Sequence, residues 1–282
     1  IKKTSRVSKF VTSSDGCKIF AEGVGNLEGP TIVLVHGLGL STVVFNNLFK
    51  DDQLLAKVYL VRYDMRSHGR SGRPVNQSDY SSQNFAADFM AVVEGFNRQK
   101  PYLLGWSLGG TVATDICTHC PAGYVSGIIY VSALPYIGAI MMDLAKDFLK
   151  NLRPRLVAQD VADALQAKID FVNSSINYCN ASNWDDRLLW VGAFSHLNAN
   201  DILNAMSRQQ DPEPLLAAGR EGLRLLHLYG DADQQLDNAV AEAQVSQHFI
   251  SRKVVVIKGG SHALFYEFQD QVVEEVLAFV TE

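Results

Sequence analysis

The chain has 282 residues, of which 47% are hydrophobic, and it carries a formal net charge of −5. This balance argues against nucleic acid or an anionic membrane surface as a partner, and no apolar run approaches the ~20 residues needed to cross a bilayer. A chain of this length and composition can bury a large core and fold as one α/β unit.

The chain begins with a polar and basic segment, residues 1–9, which lacks the apolar stretch of a secretory signal. We therefore expect a cytoplasmic location. The first predicted elements are two strands at residues 7–12 and 17–22. They flank a turn at residues 14–16 that contains Asp and Gly, and this pattern predicts a hairpin.

Six further short runs are almost continuously apolar, and helical patterns lie between most of them. These runs are residues 31–35, 58–63, 102–104, 127–132, 223–229 and 253–257. Such runs are typical of strands buried on both faces of a mostly parallel sheet. Together with the hairpin they predict an α/β fold, in which an eight-stranded, mostly parallel sheet is flanked by helices.

The motif G-x-S-x-G follows the predicted strand 102–104, and a helical pattern begins directly after its serine. The motif runs from Gly105 to Gly109 and contains Ser107. A sharp turn from strand to helix strains the backbone of the serine and requires small residues two positions to either side. We therefore predict that Ser107 is a nucleophile, which needs a base beside it because an alcohol reacts poorly at neutral pH.

No convincing strand lies between Leu134 and the run that begins at Leu223. Helical patterns occur there instead, at residues 137–149, 160–176, 184–196 and 201–208. An insertion of this size is too long for an ordinary loop. We predict a helical lid over residues 135–222, inserted into a core formed by residues 1–134 and 223–282.

A histidine and two carboxylates follow the last two predicted strands. His262 closes a Gly-Gly-Ser-His segment after strand 253–257, at the sheet edge that also carries Ser107. Asp231 and Asp233 both follow strand 223–229. We predict His262 as the base and one of the two aspartates as the acid that orients it. The order serine, acid, histidine along the chain is the order found in α/β-hydrolases.

The chain resembles the α/β-hydrolase family over nearly all of its length except the predicted lid. Residues 32–37 are similar to the strand and His-Gly oxyanion turn of that family. Residues 63–71 resemble its D-x-R-G-x-G-x-S loop, with Ser67 where glycine is usual. Residues 260–267 look like the histidine loop of its haloperoxidase-like and esterase-like branches.

The resemblance also selects between the two candidate acids. Residues 230–233 resemble the family's G-x-x-D acid turn, in which the last aspartate orients the histidine. The likeness therefore implies a triad of Ser107, Asp233 and His262. It further implies an oxyanion hole formed by the backbone N–H groups of Leu108, the residue after the nucleophile, and Leu38.

The expected reaction is acyl transfer to water through an acyl-enzyme, with a small apolar ester-like substrate. We predict that Trp106, Leu134, Trp184 and Trp190 contact this substrate, since apolar side chains near Ser107 and in the lid would favour an apolar group. The reaction requires no cofactor. A carboxylic ester or lactone is the first choice of substrate.

Several other functions share these motifs. A serine at position 107 argues against the branches that use an aspartate nucleophile, the haloalkane dehalogenases and epoxide hydrolases. Carbon–carbon bond hydrolases and haloperoxidase-like perhydrolases use the same triad. A slow-turnover small-molecule receptor is a further alternative, by analogy with other proteins of this fold.

The four cysteines do not predict a metal site or a disulfide scaffold. Cys117 and Cys120 form C-x-x-C, but a zinc site would need a second pair and the chain has none. We therefore expect free thiols and no metal. The sequence leaves open a homodimer.

Overall fold

In a computed structural model, which describes residues 4–282, eight strands form one sheet in the order β1-β2-β4-β3-β5-β6-β7-β8. The strands are β1 (Thr4–Thr12), β2 (Lys18–Gly25), β3 (Thr31–Val35), β4 (Tyr59–Tyr63), β5 (Tyr102–Trp106), β6 (Gly127–Val131), β7 (Arg224–Gly230) and β8 (Arg252–Ile257). β2 pairs antiparallel with β1 and β4, and all other neighbours are parallel. The predicted fold is confirmed. Residues 1–3 of the predicted core lie outside the described residues.

The four strands in the middle of the sheet are buried along their whole length. Every residue of β3, β4, β5 and β6 is buried, which explains why these runs read as continuously apolar. The eight predicted strands all exist, and their ends differ by a few residues, as for β5, which extends to Trp106. Because β3 and β5 to β8 pair in parallel, their carboxyl ends meet at one edge of the sheet.

Within residues 4–282, twelve α-helices accompany the sheet. They are α1 (Asp52–Lys57), α2 (Ser82–Gly95), α3 (Val112–His119), α4 (Ile140–Leu144), α5 (Asp147–Leu156), α6 (Val161–Ser174), α7 (Trp184–Ser195), α8 (Ala199–Ala205), α9 (Glu213–Arg220), α10 (Asn238–Gln244), α11 (Leu264–Glu267) and α12 (Gln269–Thr281). Short 3₁₀ turns lie at Thr42–Phe45, Leu48–Lys50, Gln77–Tyr80, Ser107–Thr111, Ala181–Asn183 and Ser246–His248.

Helix ends and faces follow the sequence. The side chain of Asp160 accepts the backbone N–H of Asp163 at 2.7 Å, which caps the first turn of α6. In α12 the buried residues Val272, Val276 and Val280 recur every four positions and form one apolar stripe. These helices therefore bury one face and expose the other.

The segment between β6 and β7 contains the six helices α4 to α9, and none of its described residues joins the sheet. The predicted single helix at 137–149 is instead two helices, α4 and α5. The break falls at Ala145, which forms an isolated antiparallel bridge with Leu236 after β7. Helix α9, which the sequence analysis did not predict, begins at Glu213 with Pro212 as its N-cap residue, and Pro214 lies in the first turn, where proline is tolerated.

Candidate active site

Ser107 lies on a strained turn at the end of β5. Its φ is +52°, in the left-handed region that a non-glycine residue rarely adopts. The turn requires glycine on both sides. A Cβ on Gly105 would lie 2.6 Å from the Cα of Gly110, and one on Gly109 would lie 2.2 Å from the carbonyl oxygen of Val35. The backbone thus passes too closely for any side chain at these two positions, and the turn projects Ser107 towards a cavity.

His262 and Asp233 form a buried pair beside this turn. Nδ1 of His262 hydrogen-bonds to Oδ2 of Asp233 at 2.9 Å, and neither side chain is accessible to solvent. The amide of Asn238 donates to the same oxygen at 3.0 Å. The other oxygen accepts the backbone N–H groups of Gln235 at 2.8 Å and Leu236 at 3.0 Å. Four donors therefore fix the carboxylate.

These contacts determine the charge of Asp233. Burial by itself would raise its pKa, but the charge and hydrogen bond of His262 and the N–H groups of Leu236 and Gln235 lower the pKa below its usual value. The carboxylate is therefore ionised at neutral pH and holds the proton of His262 on Nδ1. This tautomer leaves Nε2 free to accept a proton.

The two aspartates that the sequence analysis considered as the acid, Asp231 and Asp233, have different partners in the structure. Asp231 accepts the backbone N–H of Gly259 at 2.6 Å near the surface. This bond joins the loop after β7, which we call the acid loop, to the loop after β8, which we call the histidine loop. Asp233 is the one that contacts His262. The structure thus places Asp233, the residue that the family resemblance implied, in contact with His262, and its role as the acid stays a prediction.

Nε2 of His262 is buried close to the turn that carries Ser107. Its Nε2 makes no hydrogen bond with residues 4–282. Trp106, the residue before Ser107, donates from Nε1 to the carbonyl oxygen of His262 at 2.9 Å, and the two rings lie 5.5 Å apart. The carbonyl of Ser107 accepts the backbone N–H of Leu134 at 2.9 Å. These bonds join the loop that carries His262 and the loop after β6 to the turn that carries Ser107.

The loop after β3 passes over Ser107. A Cβ on Gly37 would lie 3.0 Å from the Cβ of Ser107 and 3.4 Å from its Oγ, so only glycine allows this approach. The next residue, Leu38, lines the same cavity as Ser107 and Leu108. The two residues predicted to form the oxyanion hole therefore flank the serine.

Two buried histidines support this loop. His36 donates from Nδ1 to the carbonyl oxygen of Gly37 at 2.8 Å, and its Nε2 accepts the backbone N–H of Met65 at 3.0 Å. His68 donates from Nδ1 to the carbonyl oxygen of Arg66 at 3.0 Å, and its Nε2 accepts the N–H of Gly39 at 3.1 Å. The sequence analysis did not assign this role to either histidine.

Both rings are neutral. Burial lowers the pKa of His36 and, together with the nearby His36 ring, lowers the pKa of His68 to about 3. The ring centroids lie 5.1 Å apart, so two charges there would repel each other. Each ring can therefore donate with one nitrogen and accept with the other, which fixes the backbone around Leu38.

A cavity of about 710 Å³ opens above Ser107. Its walls come mainly from helices between β6 and β7, and they are mostly aliphatic. The residues that line it are Leu38, Gln77, Ser107, Leu108, Leu134, Met141, Met142, Ala145, Leu149, Lys150, Arg153, Pro154, Leu156, Val157, Phe171, Ile202, Leu203, Met206, Ser207 and Leu236. The volume and polarity suit a small apolar ligand.

The predicted substrate contacts divide into two groups. Leu134 lines the cavity, whereas Trp106, Trp184 and Trp190 do not. The indole of Trp106 is buried behind His262 and packs 6.3 Å from that of Trp190. Trp184 begins α7 and is 52% exposed at the surface. Leucine and methionine side chains, rather than tryptophans, form the walls.

The described residues contain no group of three or more His, Cys, Asp or Glu side chains arranged to hold a metal ion. All four cysteines are free thiols. Across residues 4–282, each helix is too short or too polar to cross a membrane.

A model of the alpha/beta hydrolase family matches residues 32–275 of the chain. Among curated proteins, the chain is 27% identical to a pimeloyl-[acyl-carrier protein] methyl ester esterase of Aeromonas salmonicida, over 90% of this chain and 96% of that protein. A shorter match to "Probable oxidoreductase EphD" of Mycobacterium bovis is 40% identical over 99 residues, which are 35% of this chain and span only 16% of that protein's length.

Solved structures with the same architecture include esterases and a lactonase. The esterase RhEst1 from Rhodococcus sp. ECU1013 superposes with a TM-score of 0.85 at 25% identity, covering 98% of each chain. The enol-lactonase from Burkholderia xenovorans LB400 superposes with a TM-score of 0.75 at 16% identity, covering 97% of this chain and all of that one. At this lower identity the likeness concerns the fold alone.

Proposed function

The chain belongs to the alpha/beta hydrolase family, and from this membership we propose that it is a serine hydrolase that cleaves a carboxylic ester or lactone. One observation carries the proposal. A strained serine faces a largely aliphatic cavity and lies beside a buried His–Asp pair. The curated relative that matches over most of its length is a methyl ester esterase, and RhEst1 is an esterase, which supports the ester as substrate.

In the first half of the reaction, Oγ of Ser107 attacks the carbonyl carbon while Nε2 of His262 takes the hydroxyl proton. Asp233 stabilises the imidazolium that forms. The carbonyl oxygen becomes an oxyanion, which the backbone N–H groups of Leu38 and Leu108 bind. His262 then returns the proton to the departing alkoxide, and the C–O bond breaks to leave an acyl-Ser107 and a free alcohol.

In the second half, water replaces the alcohol. His262 takes a proton from the water as its oxygen attacks the acyl carbon, and the same N–H groups bind the new oxyanion. Collapse of this intermediate returns the proton to Oγ of Ser107 and releases the acid. Preorganised donors contribute strongly here, since losing one typically costs about 10²- to 10³-fold in kcat.

We propose that residues 135–222 act as a lid that closes this cavity. The base of the segment is bonded to the acid loop: Nζ of Lys146 donates to the carbonyl oxygen of Asp233 at 2.6 Å. Ser175, just after α6, is bonded to both catalytic loops. Its hydroxyl accepts the amide of Gln235 at 3.0 Å, and its carbonyl accepts the N–H of Ala263 at 2.7 Å. The lid and the two loops are therefore one connected unit.

The test is covalent labelling combined with turnover. A fluorophosphonate should add once per chain, on Ser107, and the purified protein should hydrolyse members of a panel of p-nitrophenyl esters and lactones with sustained turnover at about 1 s⁻¹ or faster. Ser107→Ala should abolish both results while its circular dichroism spectrum stays unchanged.

Two outcomes would contradict the proposal in different ways. Product release that stops after one equivalent with every substrate would indicate a receptor. Faster Ser107-dependent cleavage of a β-diketone, or faster peracid formation from acetate and hydrogen peroxide, would retain the triad but replace the ester as substrate.

A further inference from the structure

The wall of the cavity includes one face of α5 that carries two cations. The residues of α5 and its end that line the cavity are Leu149, Lys150, Arg153, Pro154, Leu156 and Val157. Lys150 and Arg153 are three positions apart, so they lie on the same side of the helix. We call these two residues the cationic rim. They lie near the opening, because Lys150 is exposed and Arg153 half-buried, whereas Ser107 is only 9% exposed.

The charges of the cationic rim are not compensated by protein carboxylates. Among residues 4–282, neither Lys150 nor Arg153 has a carboxylate within ion-pair distance. This includes Asp147, one turn before Lys150 on the same helix. By contrast Arg155, on another side of α5, pairs with carboxylates of α6 at 2.7 and 3.2 Å.

The cavity therefore has a definite polarity. No Asp or Glu is among the residues that line it. The guanidinium of Arg153 lies 3.7 Å from the sulfur of Met142, another lining residue that is largely exposed. An apolar wall thus extends between the serine and a positively charged opening.

We propose that the cationic rim selects ester substrates whose acyl chain ends in a carboxylate at the far end from the scissile bond. This inference rests on the proposed esterase activity. The ester carbonyl would lie at Ser107, the methylene chain along the leucine and methionine walls, and the carboxylate at Lys150 and Arg153. The planar guanidinium of Arg153 can bind a carboxylate through two N–H groups, and Lys150 adds a second positive charge.

The experiment compares matched substrates. Mono-p-nitrophenyl esters of the C6, C8 and C10 dicarboxylic acids carry a free carboxylate, and the corresponding monoamides replace it with a neutral group of the same shape. We expect the carboxylate form to have a kcat/KM about 10-fold higher at the best chain length, as two partly exposed ion pairs would give. The preference should fall in 1 M salt, where the Debye length is about 3 Å.

Charge variants test whether the cationic rim causes the preference. Lys150→Gln/Arg153→Gln should bring the ratio of carboxylate to amide kcat/KM to about 1, and Lys150→Glu/Arg153→Glu should bring it below 1. The control is Lys50→Gln/Lys57→Gln, which changes net charge equally at two exposed lysines remote from the cavity lining. It should keep the wild-type ratio.

A binding measurement separates this inference from the proposed function. In Ser107→Ala, calorimetry with monomethyl suberate and with its amide should give a lower Kd for the carboxylate. The inference would be overturned if the wild type showed a ratio of carboxylate to amide kcat/KM near 1, or if the preference for the carboxylate survived in Lys150→Gln/Arg153→Gln. In either case, Ser107-dependent cleavage of the ester bond in the monoamide substrates would still support the proposed esterase activity. If no ester were hydrolysed, the proposed esterase activity would be wrong. The two Kd values from calorimetry would still show whether the cavity prefers the carboxylate to the amide.

Discussion

The backbone N–H of Gly39 donates to Nε2 of His68 at 3.1 Å, which ties the loop that carries Leu38 to a ring that cannot be protonated near neutral pH. We predict that His68→Phe lowers kcat about 10-fold or more with a smaller change in KM, because it removes the acceptor and lets the oxyanion donor shift. Steady-state kinetics with a p-nitrophenyl ester would measure this. The control His119→Phe changes an exposed histidine far from the loop. Equal kcat values for the two variants would contradict the prediction.

The buried histidines also predict how stability depends on pH. Burial lowers the pKa of His68 to about 3 and that of His227 to about 4, below the ordinary value near 6.5. The unfolded chain therefore binds protons that the folded chain does not, so stability is complete above about pH 6.5 and decreases as the pH falls towards the folded pKa values.

As the pH falls, each such histidine should lower the free energy of unfolding by up to about 1.4 kcal/mol per pH unit, or by about 2 kcal/mol between pH 6.5 and pH 5. Urea unfolding at pH 7.5, 6 and 5 would measure the slope. His227→Gln removes one of these groups from the core, where Nδ1 of His227 bonds to the hydroxyl of Ser246 at 2.9 Å. Its slope should be smaller than that of the wild type. If His227→Gln had the same slope as the wild type, His227 would take up its proton in the folded protein as readily as in the unfolded chain.

The two aspartates of the acid loop give a matched pair of variants. Asp233→Asn should lower kcat by about 10⁴-fold, because an amide no longer holds His262 in the tautomer that leaves Nε2 basic. Asp231→Asn should have a mild effect, since it weakens only the bond to the N–H of Gly259. Both should fold, as thermal melts would establish. A severe loss in Asp231→Asn beside a nearly normal Asp233→Asn would reverse the assignment.

The apolar runs in the sequence predicted which residues lie at the carboxyl edge of the sheet. Ser107 and His262 each follow a parallel strand of the sheet, and parallel strands bring their carboxyl ends to one edge, so the apolar runs were enough to place both residues at that edge. Choosing Asp233 over Asp231 required the family resemblance, because both follow the same strand. The direction of each side chain was not predictable: Trp106 lies next to Ser107 in sequence, yet its indole packs behind His262.

The cationic rim could not be predicted for a related reason. The apolar pattern predicted one helix over residues 137–149, whereas the chain breaks at Ala145 because that residue pairs with Leu236 after β7. This contact joins residues far apart in sequence, and local periodicity does not reveal it. The start of α5, and hence the face that carries Lys150 and Arg153, follows from the break.

The last prediction concerns a buried ion pair that joins the proposed lid to α3, the helix that follows Ser107. Nε of Arg208, after α8, lies 3.2 Å from Oδ2 of Asp115 on α3, and neither side chain is accessible to solvent. Oδ1 of Asp115 accepts the amide of Gln210 at 2.6 Å and the hydroxyl of Ser82 at 2.6 Å. The sequence alone did not separate Arg208 from the exposed arginines of this segment.

Removing one partner of this pair would leave a buried charge without compensation. Arg208→Met should therefore lower the free energy of unfolding by about 3–5 kcal/mol, and Arg208→Met/Asp115→Leu should be less destabilised than the sum of the two single variants. Urea unfolding of the full cycle measures the coupling. The control Arg220→Met breaks an exposed pair with Glu213 and should change stability by less than about 1 kcal/mol. If Arg208→Met were as mild as Arg220→Met, the proposed lid would not depend on this ion pair, and the bonds from Lys146 and Ser175 to the loops after β7 and β8 would be sufficient to hold it.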